Sequence, residues 1–181
     1  MRRPALLLAA ACLITALPTA GQTDRGSLEP AVKAELVERF VRFIDWPRED
    51  TWKAERPFVV CAYGSSEITA PLRDLLAERS FLRRQPAELV EITEPRESRS
   101  CDVVLLSPGS RRELDDILAE TQDRPILTIG DAEGFARRGA ILNFYREQGY
   151  VRFELNHAAA RRSGLSISAK LHRLARPVSE D

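Results

Sequence analysis

The sequence predicts an α/β fold: a single three-layer domain whose mainly parallel sheet is flanked by helices and carries a C-terminal antiparallel β-hairpin at its edge. Three observations predict it. Short apolar runs at Pro57–Tyr63, Asp102–Leu106 and Pro125–Ile129 have the composition of strands buried on both faces. Stretches of helical period separate them, which is the pattern of successive βαβ units. After Gly139 the period changes to strict alternation on either side of Glu147-Gln148-Gly149, the mark of a hairpin.

Taken in order, the chain opens with Arg2 and Arg3, an apolar run from Ala5 to Leu17, and the small residues Pro18, Thr19 and Ala20. Residues 1–20 therefore read as a secretory signal peptide, too short in its apolar part to stay as a membrane helix. The alternative is a lipoprotein signal ending at Cys12, but the apolar run continues beyond that cysteine. Residues 21–29 are polar and read as a flexible lead-in, residues 30–177 as the folded domain and 178–181 as a tail.

Pro30 is placed to open a helix whose apolar face comprises Val32, Leu36, Val37, Phe40, Val41, Phe43 and Ile44. Pro47 ends it near Asp45 and Trp46, because the residue before proline avoids the helical region. Ser66 is a cap for a helix from Glu67 to about Arg79, with Ile68, Leu72, Leu75 and Leu76 inward. A basic turn at Arg83 and Arg84 leads to an edge strand at Ala87–Thr93. Ser107-Pro108-Gly109-Ser110 turns the chain into a helix from Arg111 to about Thr121. Beyond the third buried strand, Asp131 is placed to cap a helix of one and a half turns ending at Arg138, with Gly139 as its stop. In the hairpin, Leu142, Phe144, Val151, Phe153 and Leu155 share an apolar face, and Asn143, Tyr145, Arg152 and Glu154 share the other. A short helix over Asn156–Arg162 stops at Gly164, and Ser168–Ala175 gives a last helical turn with Leu171 and Leu174 inward.

Without its leader the chain carries 25 basic and 27 acidic side chains, so neither sign dominates and a nucleic-acid face has no electrostatic support. The exported part keeps only Cys61 and Cys101. In an oxidising compartment two cysteines read first as one disulfide, the alternative being two buried thiols. Equal register in a parallel pair would set these two roughly 13 Å apart, so a bridge needs a stagger or a curled loop. With two cysteines and the two histidines His157 and His172, no metal site or other cofactor is expected. No Gly-x-Ser-x-Gly elbow or phosphate loop is present, so no catalytic residue is assigned. A hydrolase would need Ser65, Ser66 or Ser107 beside a histidine.

Several stretches follow one family's order through most of the chain. They are Ala31-Val32-Lys33 with Phe40, Phe43, Trp46 and Pro47; Phe58–Gly64 around Cys61; Cys101–Leu106; and Leu127–Asp131. They continue with Gly134-Phe135-Ala136, Gly139, Ile141, Asn143-Phe144, Val151–Asn156, Arg162–Ser168 and Leu174-Ala175. In these the chain resembles the YfiR-type family of periplasmic signalling repressors, partners of membrane diguanylate cyclases or sensor histidine kinases. The resemblance implies a non-enzymatic periplasmic protein in cyclic-di-GMP regulation that restrains its partner's periplasmic sensor domain. It also implies homodimer formation and pairing of Cys61 with Cys101, which hold the family's strand and pre-strand cysteine positions. A second cysteine pair of some members has no counterpart here, since Ile141–Val151 contains no cysteine.

Candidate partner or ligand contacts are Trp46 at the end of the first helix, Asp131 at the carboxyl end of a central strand, and the polar hairpin face of Asn143, Tyr145, Arg152 and Glu154. Trp46 covers its helix end or docks a partner. Asp131 caps a helix or meets a ligand in the crevice by Gly64, Ser107 and Gly130. Arg152 and Glu154 pair with each other or with a helix. A periplasmic small-molecule binding protein is the alternative function.

Overall fold

The computed structural model describes residues 25–47, 56–79, 81–82 and 85–179. The leader with Cys12, residues 21–24 of the lead-in, the turn at Arg83 and Arg84, and residues 180–181 lie outside the described residues. The chain forms α1 (Arg25–Arg42), β1 (Ile44–Asp45), β2 (Phe58–Tyr63), α2 (Thr69–Arg79), β3 (Phe81–Leu82) and β4 (Gln85–Ile92). A 3-10 turn, Pro95–Ser100, leads to β5 (Val103–Leu106), and a second, Pro108–Arg111, to α3 (Leu114–Thr121). There follow β6 (Leu127–Gly130), β7 (Leu142–Glu147), β8 (Tyr150–Asn156), α4 (His157–Arg162), β9 (Ser166–Ile167), α5 (Ala169–Leu174) and β10 (Arg176–Val178).

The main sheet has the order β10-β8-β7-β6-β5-β2-β4-β3. Strands β4, β2, β5, β6 and β7 are mutually parallel, and β7 pairs with β8 antiparallel. The hairpin thus stands at the sheet margin as expected, with β10 added outside it in parallel to β8. That addition draws Val178 out of the expected tail and into the sheet. The opposite margin is β4, paired along only two of its residues by the short β3.

Side chains alternate to two apolar layers. One face packs Phe58 and Val60 of β2, Leu127 and Ile129 of β6, and Leu142 and Phe144 of β7 against Val37 and Phe40 of α1, Leu72 and Leu76 of α2, and Ala159 of α4. The other packs Cys61, Val104 and Leu106 against Leu114 and Ile117 of α3 and Phe135 of the following turn. With both faces covered, the central strands read as continuous apolar runs.

Four local expectations are corrected. Helix α1 begins at Arg25, inside the expected lead-in, and runs through Pro30. The Glu29–Lys33 ion pair at 2.8 Å spans the turn that proline weakens. At its other end α1 stops at Arg42, because Ile44 and Asp45 extend to pair with Ile167 and Ser166. Val32 on that helix and Leu174 on α5, both expected to face inward, are exposed. After β6 the chain makes successive turns rather than a helix, with Gly134 at φ +85° interrupting the helical path and Gly139 at +113° ending it.

Other signals act as expected. Asn156 Oδ1 accepts from Ala159 N–H and Ser168 Oγ from Leu171 N–H, which caps α4 and α5, while Ser66 Oγ accepts from Ile68 N–H in the turn that precedes α2, whose first residue is Thr69 and not Glu67. The hairpin closes through Gln148 and Gly149, both at positive φ, in the sense that matches the strands' twist. Cys61 and Cys101 are bridged, with Cα atoms 5.9 Å apart. Strand register alone does not achieve this, since Cys61 stands opposite Val104. The first 3-10 turn ends at Cys101, and Asp102 N–H donates to Val59 O at 2.8 Å, which curls the chain onto β2.

The rings of His157 on α4 and His172 on α5 stack at 4.3 Å. Burial, then His172 and Arg161, hold the His157 pKa below its ordinary 6.5. A histidine with a depressed folded pKa contributes stability above 6.5 that is lost as pH falls through the folded value. The melting temperature of wild type relative to a His157→Gln variant is therefore expected to fall on acidification from pH 7 to 5. A pH-independent difference would refute this.

Candidate functional site

In open parallel sheets ligands enter at the carboxyl ends of the strands, where the strand order reverses. Here that point lies between β2 and β5, and it is filled. A Cβ placed on Gly64 would stand 2.7 Å from Ser107 Oγ, and one on Gly130 would stand 2.6 Å from Asn143 Oδ1 and 2.7 Å from Phe135 Cβ. The crevice expected by Gly64, Ser107 and Gly130 is thus closed by side-chain packing. Gly130→Ala is expected to destabilise the domain by about 2 kcal/mol through overpacking. An unchanged urea midpoint would contradict the packing.

The open cleft lies further along the same edge, between α1, the turn after β6, the hairpin and β10. It encloses about 450 Å³, and Glu29, Lys33, Asp131, Asn143, Tyr145, Glu154 and Arg176 are among its lining residues. Two charged networks build it. In the first, Lys33 Nζ lies 2.6 Å from Asp131 Oδ1 and 2.8 Å from Glu29 Oε1, and Arg146 Nη1 lies 3.1 Å from Glu29 Oε2. In the second, Asn143 Nδ2 donates to Glu154 Oε2 at 3.0 Å, and Arg176 donates to Glu154 Oε1. The Arg176 guanidinium lies 3.8 Å from the centre of the Tyr145 ring.

Burial raises the Asp131 pKa above its ordinary 3.8, against the Lys33 hydrogen bond and with Glu29 and Glu67 adding to the rise. Burial works to lower the Lys33 ammonium, but its bonds to Asp131 and Glu29 carry it above its ordinary value. The two directions agree physically, because one ammonium serves two carboxylates. The Arg176 guanidinium is held protonated chiefly by its bond to Glu154.

The structure brings Asp131, Asn143, Tyr145 and Glu154 to this one cleft. Asp131 takes Lys33 across the fold, so the expected helix-capping role is corrected. The pairing of Arg152 with Glu154 is also corrected: Glu154 holds Arg176, and Arg152 lies 3.9 Å from exposed Glu147. Asn143 and Glu154 are buried, so of the polar hairpin face only Tyr145 and Arg152 are accessible. Trp46 is buried with its ring 5.6 Å from that of Phe58, which removes it as a docking residue. Phe43 packs partly against the core with Lys170 above its ring. Glu29, Lys33 and Arg176 join the cleft without being among the residues expected there. No local pattern marks them, since Lys33 meets Asp131 across 98 positions.

The cavity that both histidines line contains none of Ser65, Ser66 and Ser107, the serines expected of a hydrolase; the serine that lines it is Ser166. Among the described residues no group of acidic, histidine or cysteine side chains is arranged to hold a metal ion, and no helix is long and apolar enough to cross a membrane.

Comparison with known proteins decides the class. A family model described as YfiR/HmsC-like matches residues 30–176. The chain belongs to the YfiR/HmsC-like family. This is a regulatory, non-catalytic family of the periplasm whose members act with membrane signalling partners. No curated protein matches the chain. Among solved structures, a conserved domain protein from Vibrio cholerae is similar at 13% identity and a TM-score of 0.55, over 83% of this chain and 60% of that one. The ABC domain from Streptococcus pneumonia, solved in complex with L-Trp, is similar at 11% identity and a TM-score of 0.50, over 82% of this chain and 60% of that one. This chain therefore spans well under two thirds of either neighbour, and at these identities the likeness extends to the fold alone.

Proposed function

We propose that this protein is an exported regulator that binds the periplasmic sensor domain of a membrane signalling protein, a diguanylate cyclase or a histidine kinase, and restrains it. The observation that carries the reading is the family match over nearly the whole folded domain. The Cys61–Cys101 bridge agrees with export into an oxidising compartment. Restraint follows from population shift: binding one conformation of the sensor domain more tightly holds the output in its inactive state. Tyr145 and Arg152 supply the accessible contacts, while Asp131, Asn143 and Glu154 fix the surface behind them. A homodimer would present two such surfaces to a dimeric partner.

The test is retention of the periplasmic domain of the partner signalling protein on the immobilised mature chain, under oxidising and reducing conditions. Retention reduced by Arg152→Glu supports the reading, and no retention under either condition refutes it. A second reading, a small-molecule binding protein, is favoured by Asn143 Oδ1, which is buried at the cleft without a hydrogen-bond partner. A ligand there would raise the melting temperature by mass action with no partner present.

A further inference from the structure

His157 directly follows the last residue of β8, and its ring stacks on that of His172, 4.3 Å away and 9° from parallel. Both rings line a cavity of about 750 Å³ together with Arg161 of α4 and Ser166 and Ile167 of β9. No carboxylate is among those lining residues. The charged side chains of the two helices are all cationic, Arg161 and Arg162 on α4 and Lys170 and Arg173 on α5. Strand β1, paired with β9, places Asp45 opposite Ser166, but the charges acting on His157 are those of His172 and Arg161. Neither imidazole has an ion-pair partner among the described residues.

Two neutral imidazoles stack readily. Two protonated ones at this separation face each other as like charges, with cations around them. The segment that carries His172 is held lightly. On α5 Leu171 is the buried residue, Lys170 lies 4.7 Å from the centre of the Phe43 ring, and the preceding Ser168 N–H donates to Phe43 O at 3.0 Å. Ala175 alone separates α5 from β10, whose three residues pair with β8 at the edge of the sheet. Arg176, the first of them, donates to Glu154 and lies over the Tyr145 ring. Displacement of α5 is therefore passed within two residues to the cleft. Segments with so few buried contacts open locally at a fraction of the cost of global unfolding.

We propose that the His157–His172 stack is a pH-sensitive latch: protonation of both rings parts α5 from α4 and frees β10, which withdraws Arg176 from Glu154 and Tyr145. The consequence for signalling, a remodelled surface at Tyr145 in acid, rests on the partner surface proposed above. The latch itself is tested without a partner, so its failure is distinct from a failure to retain one. Hydrogen exchange of the mature protein alone is followed by mass spectrometry at pH 7 and pH 5, corrected for the intrinsic pH dependence of exchange. Protection of residues 169–178 is expected to fall at least tenfold at pH 5, while that of the central strand β5 stays unchanged. His172→Phe keeps an aromatic ring over His157 but takes no proton, so it should hold the segment at both pH values. His172→Gln also removes the charge and should abolish the acid step, whatever its protection at pH 7. Asp131, which also titrates in the cleft, is common to all three proteins and cannot account for a difference between them. Equal protection of residues 169–178 at the two pH values in wild type, or the same acid loss in both variants, overturns the proposal.

Discussion

Replacing Cys101 by serine is expected to lower the unfolding free energy by about 4 kcal/mol, the chain-entropy value for closing a loop of this length. The bridge spans 40 positions and joins the central strand β2 to the chain entering β5. The effect arises chiefly in the unfolded chain, which regains the freedom that the cross-link removed. A native-state contribution accompanies it, because Cys101 is held onto the sheet by its bond to Cys61 and by Asp102. The Asp102 carboxylate accepts Val59 N–H at 2.8 Å and also pairs with Arg56. Reductant should reproduce the loss in wild type and leave the Cys101→Ser protein unchanged. Equilibrium denaturation in urea, with and without reductant, measures both. A wild-type midpoint insensitive to full reduction would refute the assignment. The folded population is thereby made to depend on the redox state of the surroundings.

The sequence showed most clearly those features that rest on neighbouring residues. Strand β2 is a continuous apolar run because both its faces are covered. The hairpin shows through because alternation and the pair Gln148-Gly149 act within a few residues. What distant contacts decide could not be read. Asp131 satisfies every local requirement of a helix cap, yet Lys33 arrives from α1 and takes its carboxylate. Ile44 and Asp45 fit the end of α1 until β9, far along the chain, offers them a pairing partner. Alternation correctly placed Asn143, Tyr145, Arg152 and Glu154 on one face. It could not say that part of this face is covered, which buries Asn143 and Glu154 and leaves Tyr145 and Arg152 accessible. Arg176 escaped notice because β10 has only three residues and pairs in parallel with a strand whose own partner is antiparallel.

Lys33→Met is expected to destabilise the domain by about 3 kcal/mol at pH 7, within the range for removing one partner of a buried ion pair. The Lys33 and Asp131 side chains are 12% and 16% exposed, so water replaces the lost ammonium poorly. Glu29 suffers less, because Arg146 remains beside it. Asp131 bears the main penalty and offers a pH signature. Its pKa already lies above 3.8 with Lys33 present, through burial first, and removing Lys33 takes away the interactions that lower it. A carboxyl whose folded pKa exceeds its unfolded value binds more protons when folded. Stability then falls as pH rises from the unfolded value through the folded one, and the penalty is complete above it. The gap between wild type and Lys33→Met should therefore narrow as pH is lowered toward 4, where Asp131 can be protonated. Adding Asp131→Asn to Lys33→Met removes the buried charge and should restore most of the lost stability at pH 7. Denaturation curves of the two single variants and the double variant, at pH 7 and pH 4.5, test this. Equal losses at both pH values would place the role of Lys33 in packing rather than in charge. A narrowing gap with rescue by Asp131→Asn would locate the electrostatic anchor of the cleft in a contact between the first helix and the end of β6.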